Sequence, residues 1–208
     1  MMTFAVVNGH LVSERPATLG GGLTQVRLHG RGGQGTVVAS LLLARAAMLE
    51  GRSVQAFPDF GVERRGAPVT AFLRIASEPI HLRCKVERPD HVLVLDPALL
   101  PQIELPPAGG VVVANSPLAP AALALPGGWR VAVIDATRIA RARRLGSGAL
   151  PIVNSPMAGA FARATGLVGL AALLQAIREG VPSAPVANAA AAEEAWESVR
   201  GHLPGAGG

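Results

Sequence analysis

The chain has 208 residues, half of them apolar and 16% charged, with a mean hydropathy of +0.37; it can bury a sizeable core, and general disorder is excluded. A single cysteine, Cys84, excludes a disulfide framework, and equally any iron–sulfur cluster or thiolate zinc site built by this chain alone. Of the 19 basic residues all but Lys85 are arginine, so the net charge of +5 reads as an arginine-rich, solvated surface; with aromatics at 3% and no basic recognition motif, nucleic acid is not an expected partner.

The first 22 residues are weakly patterned and end in Gly20-Gly21-Gly22, which reads as an extension preceding a domain over 23–200. They lack a basic region leading into a long apolar run, and no stretch of about 18 apolar residues follows anywhere. Neither a signal peptide nor a membrane span is therefore predicted, and the expected location is the cytoplasm. Thr24 to His29 alternates like a strand, and the cluster Gly30-Arg31-Gly32-Gly33-Gln34-Gly35 interrupts it. Thr36 to Glu50 has the length and composition of a helix, stopped by Gly51. Strand, glycine turn and helix open a βαβ unit.

The same grammar continues downstream. Ser53–Phe57 and Val69–Ile75 read as strands, and Val92–Leu95, Gly110–Ala114 and Trp129–Ile134 as short apolar strands of the kind buried in parallel sheets. Helices are expected over Thr137–Arg144, Met157–Thr165, Leu167–Glu179 and Ala187–Val199. The tail, 201–208, carries four glycines and a proline and is expected to fray. The fold class predicted is α/β, an open, mostly parallel, doubly wound sheet with helices on both faces.

Glycines between a strand and a helix let the backbone approach a ligand and aim free N–H groups outward, so the loop suits an anion, with Arg31 as a clamp. It is not a Walker A loop, because the Gly-Lys-Ser/Thr ending is missing. Gly30, Gly32 and Gly35 match the glycines of a dinucleotide fingerprint, but positions 53–58 read SVQAFP and hold no acid for a ribose. A plain tight turn packed on its own helix carries equal weight. In the second cluster, Glu63-Arg64-Arg65-Gly66, the arginines offer bidentate guanidinium forks to carboxylate or phosphate. An intersubunit salt-bridge network is the alternative there. Asn154, after a short apolar run, reads first as a helix cap and second as a ligand residue. Asp96 and Asp135 also read as caps. No Ser/His/Asp set, paired carboxylates or metal-ligand spacing is present, so the chain reads as a component of an enzyme rather than a complete one.

VRLHGRGGQGTVVAS (26–40), QAFPDFGVERRGAPVTAFLRI (55–75), ERPDHVLVLDPALL (87–100), VIDATRIA (133–140) and PIVNSPMAGAFARATGLV (151–168) occur in this order. In them the chain resembles the gamma subunit, or gamma-type domain, of the 2-oxoacid:ferredoxin oxidoreductases, the pyruvate and ketoisovalerate oxidoreductase family. The resemblance covers about residues 24–200. It implies a multi-subunit enzyme that decarboxylates a 2-oxoacid oxidatively and yields an acyl-coenzyme A, CO2 and a reduced acceptor. Thiamine diphosphate with Mg is implied in alpha and beta subunits and four-iron–four-sulfur clusters in a delta-type subunit. The acceptor is ferredoxin, or NAD through a flavoprotein subunit. The gamma domain itself is implied to bind no cofactor alone, to pack on the catalytic subunits and to help form the coenzyme A pocket. Gly30–Gly35 and Glu63–Gly66 fall at that pocket or at the subunit interface. Pyruvate, branched-chain, indolepyruvate, 2-oxoglutarate, oxalate and phenylglyoxylate substrates all occur in related enzymes. A stand-alone nucleotide-binding α/β protein and a purely structural scaffold subunit are the rival readings.

Overall fold

In the computed structural model, the described residues are 5–7, 10–12, 22–59, 66–105, 110–123, 125 and 129–204, with backbone alone at 5–7 and 10–12. The strands are β1 (Ala5–Val7), β2 (His10–Val12), β3 (Thr24–Arg31), β4 (Ser53–Asp59), β5 (Pro68–Ala76), β6 (His91–Val94), β7 (Val111–Asn115), β8 (Arg130–Ile134) and β9 (Arg200–Gly201). The helices are α1 (Thr36–Leu49), α2 (Ala136–Ala142), α3 (Asn154–Thr165), α4 (Leu170–Gly180) and α5 (Pro185–Ser198). All strands join one open sheet in the order β1-β2-β4-β5-β3-β6-β7-β8-β9. The expected α/β architecture is present, but the five helices line one face of the sheet and not both, since the other face is covered by short 3-10 turns and loops. Parallel pairing is confined to the run β3-β6-β7-β8, with antiparallel strands on both sides of it, so "mostly parallel" describes the centre of the sheet only.

Hydropathy patterning follows what covers each strand. Leu93, Leu95, Val111 and Val113 point into the main core, while Val92, Val94, Val112 and Ala114 point into a second cluster with Trp129. Both faces of β6 and β7 are buried, which is why these strands read as unbroken apolar runs. In β3 only Val26 and Leu28 enter the core, and Gln25, Arg27 and His29 take the other face, hence the alternation. The main core is built from buried residues of all five helices, including Leu42, Ile139, Phe161, Ile177 and Ala192. Over β6–β8 the opposite face is covered by Leu100, Ile103, Leu105, Leu123 and Leu125, on and beside the 3-10 turns Pro97–Gln102 and Pro120–Ala122.

α3 and α5 run parallel in one fixed register. Ser155 hydroxyl donates to Asn188, Gly159 faces Ala192, and the Arg163 guanidinium lies over the Trp196 ring at 5.6 Å, each pair separated by the same interval. The glycine makes the close approach: a Cβ at Gly159 would overlap the Ala192 carbonyl.

Two departures have local causes. Residues 1–22, expected as an extension, contribute β1 and β2, which extend the sheet beside β4. At the other end, Gly201 pairs with Ala132 and His202 N–H donates to Val131 O, so order persists past residue 200. Arg74 was not singled out by its sequence. Fully buried, it donates to Gln25 and Gln55 side chains at 3.1 and 2.7 Å and to Cys84 O at 2.7 Å. It thereby fastens the exposed 83–85 segment to the sheet.

Candidate functional site

β3 is followed through α1 by β4 on one side, while β6 lies directly against its other side. The carboxyl ends of β3 and β6 therefore flank a topological switch point, where open α/β sheets leave a crevice for ligands. β5 runs antiparallel to β3 with Arg31 opposite Pro68, which brings the start of β5 to the same edge. The glycine loop and Gly66-Ala67 meet there: Gly32 N–H donates to Ala67 O at 3.0 Å, and Arg31 Nη1 to Gly66 O at 3.0 Å.

The loop's shape follows from its residues. Gly33 (φ 98°) and Gly35 (φ 85°) occupy the left-handed region that side chains disfavour. Arg31 N–H donates to Gln34 Oε1 at 2.8 Å and Gln34 N–H returns to Arg31 O at 3.1 Å, closing the turn. Gly30 admits the Thr36 hydroxyl where a Cβ would stand, and that buried hydroxyl has no partner among the described residues. Arg31 is committed to the protein itself: besides Gly66 O, its Nε pairs with Asp96 Oδ2 at 2.7 Å. Asp96 also caps the Pro97–Gln102 turn through Ala98 N–H. Asp135 caps α2 in the same way through Arg138 N–H.

At the start of α1 the N–H groups of Gly35, Thr36 and Val37 have no acceptor among the described residues, as expected of a helix N-terminus. Asn154 lies against Gly35, its side-chain amide within 2.9 Å of where a Cβ of Gly35 would stand. It is 5% exposed, its Oδ1 accepts from Ser155 N–H at 2.7 Å, and its Nδ2 has no acceptor among the described residues. Ser155 holds Asn188 at 2.8 Å, and Asn188 Nδ2 donates to Ser183 O and Ala184 O. The N-termini of α1, α3 and α5 thus gather at one edge. Three dipoles of the same sense and a row of unused donors make this edge suited to an anion.

Of the sequence-derived residues, Gly30 to Gly35, Gly66 and Asn154 are brought together, and Glu63, Arg64 and Arg65 lie outside the described residues. Thr36 and Asp96 were missed as site residues. Thr36 carried a signal, being the hydroxyl residue that follows the glycines. Cys84 is exposed. Among the described residues no three His, Cys, Asp or Glu side chains gather as metal ligands.

His29, on the face of β3 away from the helices, is held neutral. Burial, with Arg27 second, pushes its pKa down to about 4, and its Nε2 has no partner among the described residues. The unfolded chain, with a pKa near 6.5, binds the proton that the folded chain refuses. Stability from this group is therefore full above about pH 6.5 and is lost as pH falls toward 4, by up to about 3 kcal/mol. Denaturant midpoints measured at pH 7 and pH 5 are expected to separate more in the wild type than in His29→Leu; equal separations contradict the assignment.

A family model described as pyruvate ferredoxin/flavodoxin oxidoreductase matches residues 25–198, which include the glycine loop, Asp96 and Asn154. The chain belongs to this family, as a gamma-type subunit. It is 46% identical to the pyruvate/ketoisovalerate oxidoreductases common subunit gamma of Thermococcus kodakarensis, over 84% of this chain and 96% of that one. A pyruvate synthase subunit PorC of Methanosarcina barkeri is 43% identical over 75% and 85% of the two chains. The crystal structure of the pyruvate oxidoreductase subunit PORC of Thermotoga maritima superposes with a TM-score of 0.73 at 35% identity, covering 86% of this chain and 98% of that one. This gamma-type chain is a subunit of a 2-oxoacid:ferredoxin oxidoreductase, not catalytic alone. No helix among its described residues is long and apolar enough to cross a membrane.

Proposed function

We propose that this gamma-type subunit packs on thiamine-diphosphate-bearing alpha and beta subunits and lends its carboxyl edge to the coenzyme A pocket of the assembled enzyme. The reaction is 2-oxoacid plus coenzyme A plus oxidised acceptor to acyl-coenzyme A, CO2 and reduced acceptor. Relatives named for pyruvate and ketoisovalerate favour pyruvate or a branched-chain 2-oxoacid as substrate. The partners are alpha, beta and delta-type subunits in the cytoplasm, with Mg in the thiamine site and iron–sulfur clusters in the delta-type subunit. Ferredoxin is the acceptor, in keeping with the family's description. The alternative acceptor is NAD through a flavoprotein subunit.

The observation that carries this reading is Asn154. A side chain 5% exposed, with a free Nδ2 donor against Gly35, adds a directed donor to the unused N–H groups of Gly35, Thr36 and Val37. Such a set holds a phosphate group of coenzyme A by charge-assisted hydrogen bonds. Thiamine diphosphate, in the partner subunits, supplies the carbanion chemistry of decarboxylation. This chain's residues bind and orient the co-substrate. With one cysteine and no metal cluster among the described residues, its donors suit an anion and do not suit an iron–sulfur centre.

The scaffold reading has its own support in the Arg31–Asp96 pair and the Gly32–Ala67 bond, which stiffen the edge without any ligand. Arg64 and Arg65, next to Gly66 in the sequence, separate the two. In the assembled complex, Arg64→Ala and Arg65→Ala are expected to raise the apparent KM for coenzyme A roughly tenfold each, as loss of one guanidinium–phosphate contact does. Assembly is expected to survive. Loss of assembly with an unchanged KM supports the scaffold instead.

A further inference from the structure

α1 differs from the other outer helices in what it turns outward. α2 presents Arg138 and Arg141 to solvent, α4 presents Arg178 and Glu179, and α5 presents Glu193 and Glu197. On α1 the outward positions, three and four residues apart, are Val38, Leu41, Arg45 and Leu49. Val38 is 39% and Leu49 37% exposed, and Leu41 is half-buried. Arg45, the one charge in the helix, is paired with Glu179 Oε2 of α4 at 3.1 Å. The opposite side of α1 is covered by β4, β5, α3 and α4, and Leu42, Leu43 and Met48 are buried there. α1 is thus apolar all round yet covered on one side only, and a helix apolar on every face is ordinarily enclosed. Helix formation does not require this, since Lys, Glu or Gln at positions 38, 41 and 49 would propagate the helix as well as Val or Leu.

We infer that the outward face of α1 is the seat of a thiamine-diphosphate-bearing subunit, which meets it with an apolar surface. The inference rests on the reading that this chain packs on those subunits, and adds which surface does so. A subunit that is not catalytic alone covers part of its surface with another chain, and permanent interfaces are the apolar ones. The stripe runs about 16 Å from Val38 to Leu49, at about 1.5 Å per residue. Its single charge is already answered by Glu179, so a charged partner surface finds no counter-charge here, and an apolar one leaves no charge unpaired. A second copy of the chain fits less well: a two-fold axis through the middle of the stripe sets the two Arg45 guanidinium groups only about 5 Å apart along the helix axis. The stripe also begins three residues after Gly35. A subunit seated on it stands beside the N–H groups of Gly35, Thr36 and Val37 and closes that edge into a pocket shared between two chains.

The test is co-purification from the native cells of the tagged full chain, as wild type, Leu49→Arg, Val38→Glu and Gln175→Arg, reading thiamine diphosphate per tagged chain. Both stripe variants put a charge where the helix dipole favours it, Arg at the C-terminal end and Glu in the first turn. The fold is therefore kept, which thermal unfolding of each purified preparation verifies. The two lie at opposite ends of the helix, so one that failed to fold would leave the other to decide. Gln175→Arg adds a charge to the solvent face of α4 instead. Each stripe variant is expected to lower thiamine diphosphate per chain roughly tenfold or more, as a charge buried unpaired in an apolar contact does, and Gln175→Arg to leave it unchanged. Wild-type content in both stripe variants, with thiamine diphosphate present in the wild type, overturns the α1 seat and leaves the packing reading standing. Absence of thiamine diphosphate from the wild-type preparation removes both. A stripe variant that alters only this chain's own oligomeric state makes a second copy the occupant and overturns the seat.

Discussion

Asn154→Asp is expected to raise the apparent KM for coenzyme A about a hundredfold while leaving the subunit as stable as before. The substitution is nearly isosteric and keeps the acceptor for Ser155 N–H, which the amide Oδ1 now provides at 2.7 Å. A carboxylate at the start of α3, next to the start of α1, is favourable for both helix dipoles. Structure is therefore preserved or strengthened. The Nδ2 donor is lost, however, and a negative charge takes its place where an anion would sit. Losing a charge-assisted donor and adding like-charge repulsion each cost about 1–3 kcal/mol, which together reach two orders of magnitude. KM measured in the assembled complex, with thermal unfolding of the same preparation, checks both halves. A scaffold with no ligand at this edge gives a normal KM and an unchanged or higher Tm.

The second large effect is structural. Gly→Ala inside a helix ordinarily stabilises by about 1 kcal/mol. Gly159→Ala is expected to do the reverse, by about 3 kcal/mol, because its Cβ would overlap the Ala192 carbonyl, backbone that cannot step aside. α3 and α5 must separate, and the contacts on either side of Gly159 loosen with them: Ser155 with Asn188, and Arg163 with Trp196. For a chain of this size the melting temperature should fall roughly 10 °C. Gly180→Ala is the control. Its Cβ would meet the flexible end of Arg45 at 3.3 Å, so a small change of either sign is expected. Equal melting temperatures for the two variants would contradict the close packing of α3 on α5. Since α3 begins at Asn154, Gly159→Ala should also weaken coenzyme A binding in whatever complex survives.

Much of the central fold is legible in the chain because its local signals agree. α1 begins at Thr36 as expected and ends at Leu49, since Gly35 and Gly51 both take positive φ and punctuate it. β6, β7 and β8 stand out as apolar runs because both their faces are covered. α3 starts at Asn154, three residues before the expected Met157, because Pro156 lies in its first turn, where a missing N–H costs nothing. α4 starts at Leu170 and not Leu167, since Gly166 turns left-handed and Gly169 N–H is held by Glu50 Oε1 at 2.6 Å. β1 and β2 are three residues each, too short to show a period.

The site is legible only in part. Its glycines announce themselves, because positive φ and close approach need glycine locally. Its closing contacts do not. Asp96 reaches Arg31 from 65 residues away, and Asn154 reaches Gly35 only because α3 crosses behind β6 and β7. A single sequence shows Arg31 as a free cation; the fold spends it on Asp96 and Gly66.

The most direct measurement is purification of this chain, tagged, from its native cells, followed by cofactor content and turnover. The account predicts a complex containing thiamine diphosphate and iron, which reduces ferredoxin or a flavoprotein partner only when both a 2-oxoacid and coenzyme A are present. The chain expressed alone should contain neither cofactor and show no turnover. A chain that purifies by itself and turns over with NAD would contradict it.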